Sequence, residues 1–164
     1  MASQEKEFLE KIEKHKGVVF KISKMYMDSR DDQQDLFQEI IYQTWKSYDT
    51  FQGKSEFSTW LYRIALNTAI IFLKSQKRKS FIRNDDSVEN FKIPHEDYDD
   101  KDDRNLKKMY EAIQKLNSID KALIFYYLED IPGKEMAAQL GISEVNARVK
   151  LNRAKEKLKN LIEK

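Results

Sequence analysis

Apolar residues recur at helical spacing along much of this chain. In residues 53–69 (GKSEFSTWLYRIALNTA) the apolar stripe steps by 3, 1, 3, 1 and 3 residues through Phe57, Trp60, Leu61, Ile64, Ala65 and Thr68. That period is typical of a helix with one apolar face. No strict alternation of apolar and polar residues persists between turn signals, as a strand would require. The pattern predicts an all-α fold.

The same reasoning places eight helices, four in each half of the chain. They lie near residues 5–15, 18–27, 31–47, 56–77, 104–116, 119–129, 133–140 and 144–161. Asp31 or Asp32 can cap the third helix, and Asn117 or Ser118 the sixth. The segment YDTFQGKSE is predicted to be a loop with Gly53 at its tight point.

Charge divides the chain into three segments. Residues 1–83 carry 15 Lys and Arg against 11 Asp and Glu, and residues 104–164 carry 13 against 8. Residues 84–103 carry 2 against 9, with little periodicity. We therefore predict two small helical domains, 1–83 and 104–164, joined by an acidic flexible linker.

Composition narrows the function classes. The 164 residues contain no Cys, which excludes disulfides and thiolate chemistry, and no run of 18 apolar residues that could span a membrane. The N-terminus is charged from its fifth residue onward, unlike a signal peptide. A cytoplasmic protein is expected.

The segment KEMAAQLGISEVNARVKLNRA is typical of a helix-turn-helix. Small residues precede Gly141, and Ser143 can cap a long second helix that would enter the major groove. Asn and Arg can pair with bases, and an exposed Val can contact a thymine methyl. The candidate DNA-binding residues of this helix are Val145, Asn146, Arg148, Val149, Asn152 and Arg153. The alternative is a plain helical hairpin with solvated lysines.

Two further groups of polar residues have competing interpretations. Asp31, Asp35 and Glu39 share one helix face, as a metal site or a solvated acidic face would. Neither His15 nor His95 lies in a carboxylate cluster with ligand spacing, which disfavours a metal; both are expected to be ordinary surface residues. Trp45 and Trp60 lie on apolar stripes and are expected in the core.

Three segments together resemble an extracytoplasmic-function sigma factor of bacterial RNA polymerase. They are DDQQDLFQEIIYQTW, YDTFQGKSEFSTWLYRIALNTA and the helix-turn-helix ending in LNRAKEKL. The resemblance covers residues 8 to 160, with regions 2 and 4 of that family in order. It implies that the helix-turn-helix reads the −35 promoter element, and that the linker threads the polymerase. It also implies binding to core RNA polymerase, to promoter DNA and to an anti-sigma factor.

The resemblance also assigns residues in the first domain. The loop FQGKSE would cradle a base flipped from the non-template strand of the −10 element, beside the outer face of the following helix and its basic end, KSQKRK. The candidate −10 residues are Phe51, Gln52, Lys54, Ser55, Arg63, Asn67 and Lys74. The candidate core polymerase contacts are Asp35, Leu36, Gln38, Glu39 and Ile40, with Leu36 and Ile40 as apolar anchors.

This sequence departs from the family pattern in region 4. Gly133 stands where a Ser or Thr commonly caps the first helix of the motif, and VNARV replaces the usual start of the recognition helix. We therefore expect a sigma factor without catalytic residues or cofactors. The changed recognition helix gives no basis for assigning it the −35 sequence that its relatives read. One rival is an ordinary helix-turn-helix regulator that binds operator DNA without polymerase, although no sustained heptad for a dimer is present. The other is a helical carboxylate metalloenzyme.

Overall fold

The computed structural model describes the backbone of residues 2–79 and 101–163, and the side chains of residues 3–76 and 103–163. Every regular element within these ranges is helical, which confirms the all-α prediction. The chain divides into two compact units, Met1–His95 and Glu96–Lys164. Most of the predicted acidic linker lies outside the described residues, as does His95.

In its described residues, the first unit is a bundle of three helices that each pack against the other two. They are α1 (Ala2–Tyr26), α2 (Arg30–Ser47) and α3 (Phe57–Lys79), with a single 3-10 turn at Tyr48–Thr50. Its core contains Phe8, Val19, Ile22, Met25, Leu36, Ile40, Leu61, Leu66 and Ala69. The apolar stripes predicted for the second and third of these helices therefore meet in one core.

Two local predictions for this unit are wrong. The chain does not break between helices at Gly17, because α1 runs straight through it. Glycine in a helix costs only about 1 kcal/mol, and burial of Ile12, Val19 and Ile22 on both sides of it outweighs that. The cap of α2 is Ser29 rather than Asp31 or Asp32, and its side chain accepts a hydrogen bond from the backbone N–H of Asp32.

The part of the second unit that the structure describes contains four helices, three of which pack against the last. They are α4 (Lys101–Gln114), α5 (Ser118–Leu128), α6 (Gly133–Leu140) and α7 (Glu144–Glu163). Since α4 begins at Lys101, the predicted linker 84–103 extends too far into this helix. The buried core includes Ile113, Leu123, Ile124, Phe125, Met136, Ala147 and Ala154.

Polar contacts fix α5 within this unit. Asn117 caps the helix by accepting a hydrogen bond from the backbone N–H of Asp120 at 2.8 Å, as predicted. Lys157 Nζ on α7 lies 3.2 Å from Asp120 Oδ2, which is largely buried. Because a carboxylate at this depth needs a partner, the pair ties the start of α5 to α7.

None of the described helices is long and apolar enough to cross a bilayer.

Candidate nucleic-acid interface

The helices α6 and α7 form the predicted helix-turn-helix. Gly141 ends α6 with φ of 71°, a left-handed conformation that favours glycine, and Ile142 N–H donates to Ala137 O. Ser143 caps α7 by accepting a hydrogen bond from the N–H of Asn146 at 3.0 Å. The turn is therefore fixed by its own sequence.

The start of α6 differs by one residue from the prediction. Pro132, not Gly133, occupies the cap position, and no side-chain hydrogen bond caps the helix there. Gly133 is the first helical residue. The weak helix start expected from the sequence is present, but its cause is the proline before the glycine.

All six predicted DNA-binding residues of α7 are exposed. Val145 is 61% exposed and Val149 is 40% exposed, while Ala147 and Ala154 on the opposite side are buried. Such exposed valines beside Asn and Arg side chains give α7 both apolar and hydrogen-bonding groups for base edges. Arg148 differs from the others because it lines a groove of about 480 Å³ with Asp130 and Glu144.

The predicted base-reading loop projects from the first unit. Its residues 52–56 are all exposed, and Gly53 turns the backbone with φ of 72°. Gln52, Lys54 and Ser55 are thus accessible. Phe51 is half-buried, and its ring centroid lies 5.0 Å from that of Trp60. Among the candidate −10 residues, Phe51 is therefore a packed anchor of the loop.

An aromatic cluster lies beneath this loop, centred on Tyr48. The rings within 6.4 Å of the Tyr48 centroid are Phe8, Trp45, Phe51, Phe57 and Trp60. Trp60 is half-buried there, close to the core position expected. Trp45 is 39% exposed, so its assignment to the core is only partly right; it lies over Phe8 at the edge of the cluster.

Lys11, which the sequence did not single out, lies over the same cluster. Its Nζ is 5.2–5.7 Å from the ring centroids of Phe51, Tyr48 and Phe57. The pKa of Lys11 is raised, first by a hydrogen bond with Tyr48 and further by Glu7, whose Oε1 is 3.3 Å from Nζ; partial burial opposes this rise. The spacing of Glu7 and Lys11 could have indicated their ion pair. Nothing in the sequence indicates that Lys11 contacts the aromatic rings.

The outer face of α3 carries the remaining −10 candidates. Arg63, Asn67 and Lys74 are all exposed, and at 100° per residue they fall within about 40° of one another. Asn67 also lines a groove of about 510 Å³ with Glu39 and Ile71. The side chains of the basic end beyond residue 76 lie outside the described residues.

The predicted apolar anchors for core polymerase are wrong. Leu36 and Ile40 are both 0% exposed, because their side of α2 faces α1 and α3 in the core. Gln38 is exposed, while Asp35 and Glu39 are partly exposed. Glu39 Oε2 also accepts a hydrogen bond from Gln43 Nε2 at 2.7 Å. These three polar candidates remain accessible.

Tyr42, absent from the predicted set, is more exposed than Trp45, the other exposed large apolar side chain of α2. It is 56% exposed, and it follows Gln38 by four residues, so both lie on one face of the helix. Lys46 Nζ lies 5.7 Å from its ring centroid. Because Tyr42 follows the predicted contact Gln38 by four residues, helical spacing could have indicated that it is exposed on the same face.

Among the described residues, no group of three or more His, Cys, Asp or Glu side chains could hold a metal ion. Asp31, Asp35 and Glu39 therefore share a helix face without converging on a point. His15 is half-buried, and its ring lies 5.4 Å from that of Phe57.

Both units match known families. Residues 12–79 match Sigma-70 region 2, and residues 106–158 match Sigma-70, region 4. The RNA polymerase sigma factor SigV of Bacillus subtilis is 30% identical over 142 residues, which cover 85% of this chain and 81% of SigV. The ECF RNA polymerase sigma-E factor of Haemophilus influenzae is 29% identical over 147 residues, which cover 82% and 77% of the two chains.

Solved structures share the fold. The sigma factor RpoE from Bartonella quintana, in complex with the anti-sigma factor NepR, has a TM-score of 0.71 at 19% identity, covering 96% of this chain and 98% of that one. CnrH in complex with the cytosolic domain of CnrY has a TM-score of 0.67 at 19% identity, covering 97% and 89%.

Proposed function

We propose specific tasks for each exposed surface from the premise that this chain belongs to the extracytoplasmic-function family of RNA polymerase sigma factors. Members of this family are transcription initiation factors and not enzymes. The first unit binds core polymerase and opens the −10 element, and the second unit binds the −35 element as duplex.

One observation supports recognition of the −10 element by the first unit. An exposed loop lies directly above packed aromatic side chains at the start of α3. Loop residues Gln52, Lys54 and Ser55 offer small polar groups to the edge of an unstacked base. The stripe of Arg63, Asn67 and Lys74 then follows the strand for about 16 Å along the helix. Its two cations contact phosphates, and Asn67 contacts a base edge.

Recognition of the −35 element uses the exposed face of α7. Val145, Val149 and Asn152 face the bases of the major groove, and Arg153 contacts a guanine or a phosphate. We expect Arg148 to contribute less than Arg153, because its side chain lines a groove that also contains the carboxylates of Asp130 and Glu144.

Core polymerase binds the outer face of α2. Tyr42 supplies the apolar anchor that Leu36 and Ile40 cannot, with Gln38 and Glu39 beside it. An aromatic side chain surrounded by polar and acidic groups suits a basic partner surface. An anti-sigma factor is proposed as a second partner, because the structure of similar fold from Bartonella quintana is a complex of the sigma factor RpoE with the anti-sigma factor NepR.

The proposed division is tested by transcription in vitro with core polymerase and a promoter found by mapping start sites. Permanganate should detect strand opening at the −10 element with holoenzyme and none with the free protein. Asn67→Ala and a Gln52/Lys54/Ser55 triple-alanine variant should lose opening. Asn160→Ala, an exposed change near the end of α7, is the matched control and should open the promoter normally.

A different outcome would favour the ordinary regulator. If the free protein gave a tight, sequence-specific footprint on duplex DNA, and core polymerase changed neither the footprint nor opening, the proposed division of tasks would be abandoned. If only the loop variant opened promoters normally, −10 recognition would have to be reassigned to α3 alone.

A further inference from the structure

One lysine of α1 contacts both ends of the exposed loop 52–56. Phe51 precedes the loop and Phe57 follows it, and their rings meet edge to face with centroids 5.8 Å apart. Lys11 Nζ is 5.2 Å from the Phe51 centroid and 5.7 Å from the Phe57 centroid. A single ammonium group thus bridges the points where the loop leaves and re-enters the packed unit.

The lysine is itself held in place. Its Nζ lies 5.5 Å from the ring centroid of Tyr48, which is buried, and 3.3 Å from Glu7 Oε1 on the preceding turn of α1. One turn earlier, Gln4 Nε2 donates a hydrogen bond to Asp49 Oδ1 at 2.6 Å. The first turns of α1 therefore contact the 3-10 turn that leads into the loop at two points, through Gln4 and through Lys11.

We propose that Lys11 is a positioning residue for promoter recognition, which holds the ends of the loop so that residues 52–56 present their polar groups to the −10 strand. This inference rests on the proposed function of the loop. The loop residues are fully on the surface, and ordering such a segment during binding lowers affinity. Fixing both ends beforehand reduces the number of conformations that DNA binding must still order.

Three variants test this role. Lys11→Met removes the charge and keeps a side chain of similar length, whereas Lys11→Arg keeps a cation that can lie over aromatic rings. Lys14→Met is the matched control, because Lys14 is an exposed lysine of the same helix one turn away. Circular dichroism confirms that each variant is folded before binding is measured.

Two measurements are made on the full chain. The first is hydrogen–deuterium exchange of the free protein, read at the amides of residues 51–57. The second is the affinity of a single-stranded, fluorescent −10 non-template oligonucleotide for holoenzyme formed with each variant. Affinity for core polymerase is measured alongside as a reference.

In Lys11→Met, exchange at residues 51–57 should be faster, and oligonucleotide affinity should fall by about two- to fivefold, the equivalent of one exposed cation–π contact. Affinity for core polymerase should be unchanged. Lys11→Arg should restore both properties, and Lys14→Met should alter neither.

The positioning role is overturned if Lys11→Met leaves exchange unchanged. Lowered affinity with unchanged exchange would mean that Lys11 contacts DNA phosphate directly, and faster exchange with unchanged affinity would mean that loop order does not matter for binding. Failure of the proposed loop function is separable, since the Gln52/Lys54/Ser55 variant would then bind the oligonucleotide normally. In that case the role of Lys11 in promoter recognition falls as well, while exchange still shows whether it holds the loop.

Discussion

Tyr42 and Leu36 lie on one helix and should respond to alanine substitution in opposite ways. Tyr42 is 56% exposed on the outer face of α2, whereas Leu36 is 0% exposed beneath it. We expect Tyr42→Ala to weaken binding to core polymerase with little change in stability. We expect Leu36→Ala to destabilise the first unit and to affect polymerase only through that loss.

The magnitudes follow from burial. A tyrosine side chain presents about 200 Å², so the exposed part of Tyr42 is on the order of 110 Å². At about 25 cal/mol per Å², covering it at an interface is worth on the order of 2–3 kcal/mol. That is about a 30-fold to 150-fold change in Kd. Its removal should change the free energy of unfolding by about 0.5 kcal/mol or less.

The cost for Leu36 lies in the folded unit itself. Leu→Ala in a packed core costs about 2–5 kcal/mol, and a unit of about 80 residues has a total stability of about 4–12 kcal/mol. Leu36→Ala should therefore lower the denaturant midpoint of the first unit sharply.

Both quantities can be measured on the same proteins. Urea unfolding followed by circular dichroism gives the stability, and titration of labelled core polymerase gives Kd. Lys46→Ala serves as a control, because the Tyr42→Ala change also removes the ring over which Lys46 lies. The control shows how much of any effect comes from Lys46 alone. The reasoning is refuted if Tyr42→Ala binds polymerase as wild type does, or if it unfolds as readily as Leu36→Ala.

Further expectations concern α7, two glycines and Lys11. Arg153→Ala should cost about 1–3 kcal/mol in discrimination at one −35 base pair, or weaken all sequences alike if it contacts phosphate, with a smaller effect for Arg148→Ala. Competition binding with mutated −35 duplexes measures this, and an Arg153→Ala variant with both the affinity and the discrimination of wild type would contradict it. Gly17→Ala should stabilise the protein by about 0.5–1 kcal/mol, since the glycine is helical with nothing within 4 Å of an added Cβ. Gly141→Ala should destabilise it by about 1–2 kcal/mol, since its φ is 71°; thermal unfolding distinguishes the signs, and two shifts in the same direction would count against the argument. The raised pKa of Lys11 means that its contribution is present below the unfolded-state pKa and lost only as pH rises through the higher folded value. The difference in unfolding free energy between Lys11→Met and wild type should thus stay constant from about pH 6 to about pH 9. A difference that fades in this range would show that a group titrating below Lys11, and not the Lys11 ammonium, is the source of that stability.

Helix ends were predictable where the sequence itself fixes them. The bounds of α6 agree with the prediction, and α7 begins at Glu144 as expected, because Gly141 and Ser143 specify a left-handed turn and a cap. The break predicted at Gly17 failed for the opposite reason. Glycine carries a local cost of about 1 kcal/mol, and only packing across the bundle decides whether it is exceeded.

The site was predictable to the extent that exposure follows from helical phase. The polar residues proposed on α3 and α7 lie off the apolar stripes, and the structure exposes them. The same phase argument could not separate an interface from a core for Leu36 and Ile40. A stripe identifies residues that share a face, but which surface covers that face depends on the other helices.

Contacts between distant parts of the chain had no sequence signal at all. Lys11 contacts rings some 40 residues away in the sequence, those of Tyr48, Phe51 and Phe57. From the sequence alone, each of these aromatic residues could equally be an ordinary core residue. The approach of α1 to the loop is a product of bundle packing. Residues that position a site in this way become visible only once the helices are assembled.

The charges support the proposal that polymerase is needed for promoter binding. Residues 1–83 carry a net charge of +4 and residues 104–164 a net charge of +5, so each segment neutralises few phosphates and its nonspecific affinity should fall with salt. The acidic residues of α2 further weaken attraction of the first unit to DNA. If a basic polymerase surface covers that face, it removes this repulsion. By holding both units on one promoter, polymerase also raises the effective concentration of each at its element. On this proposal, weak and separate DNA contacts become specific only within the holoenzyme, where initiation can follow.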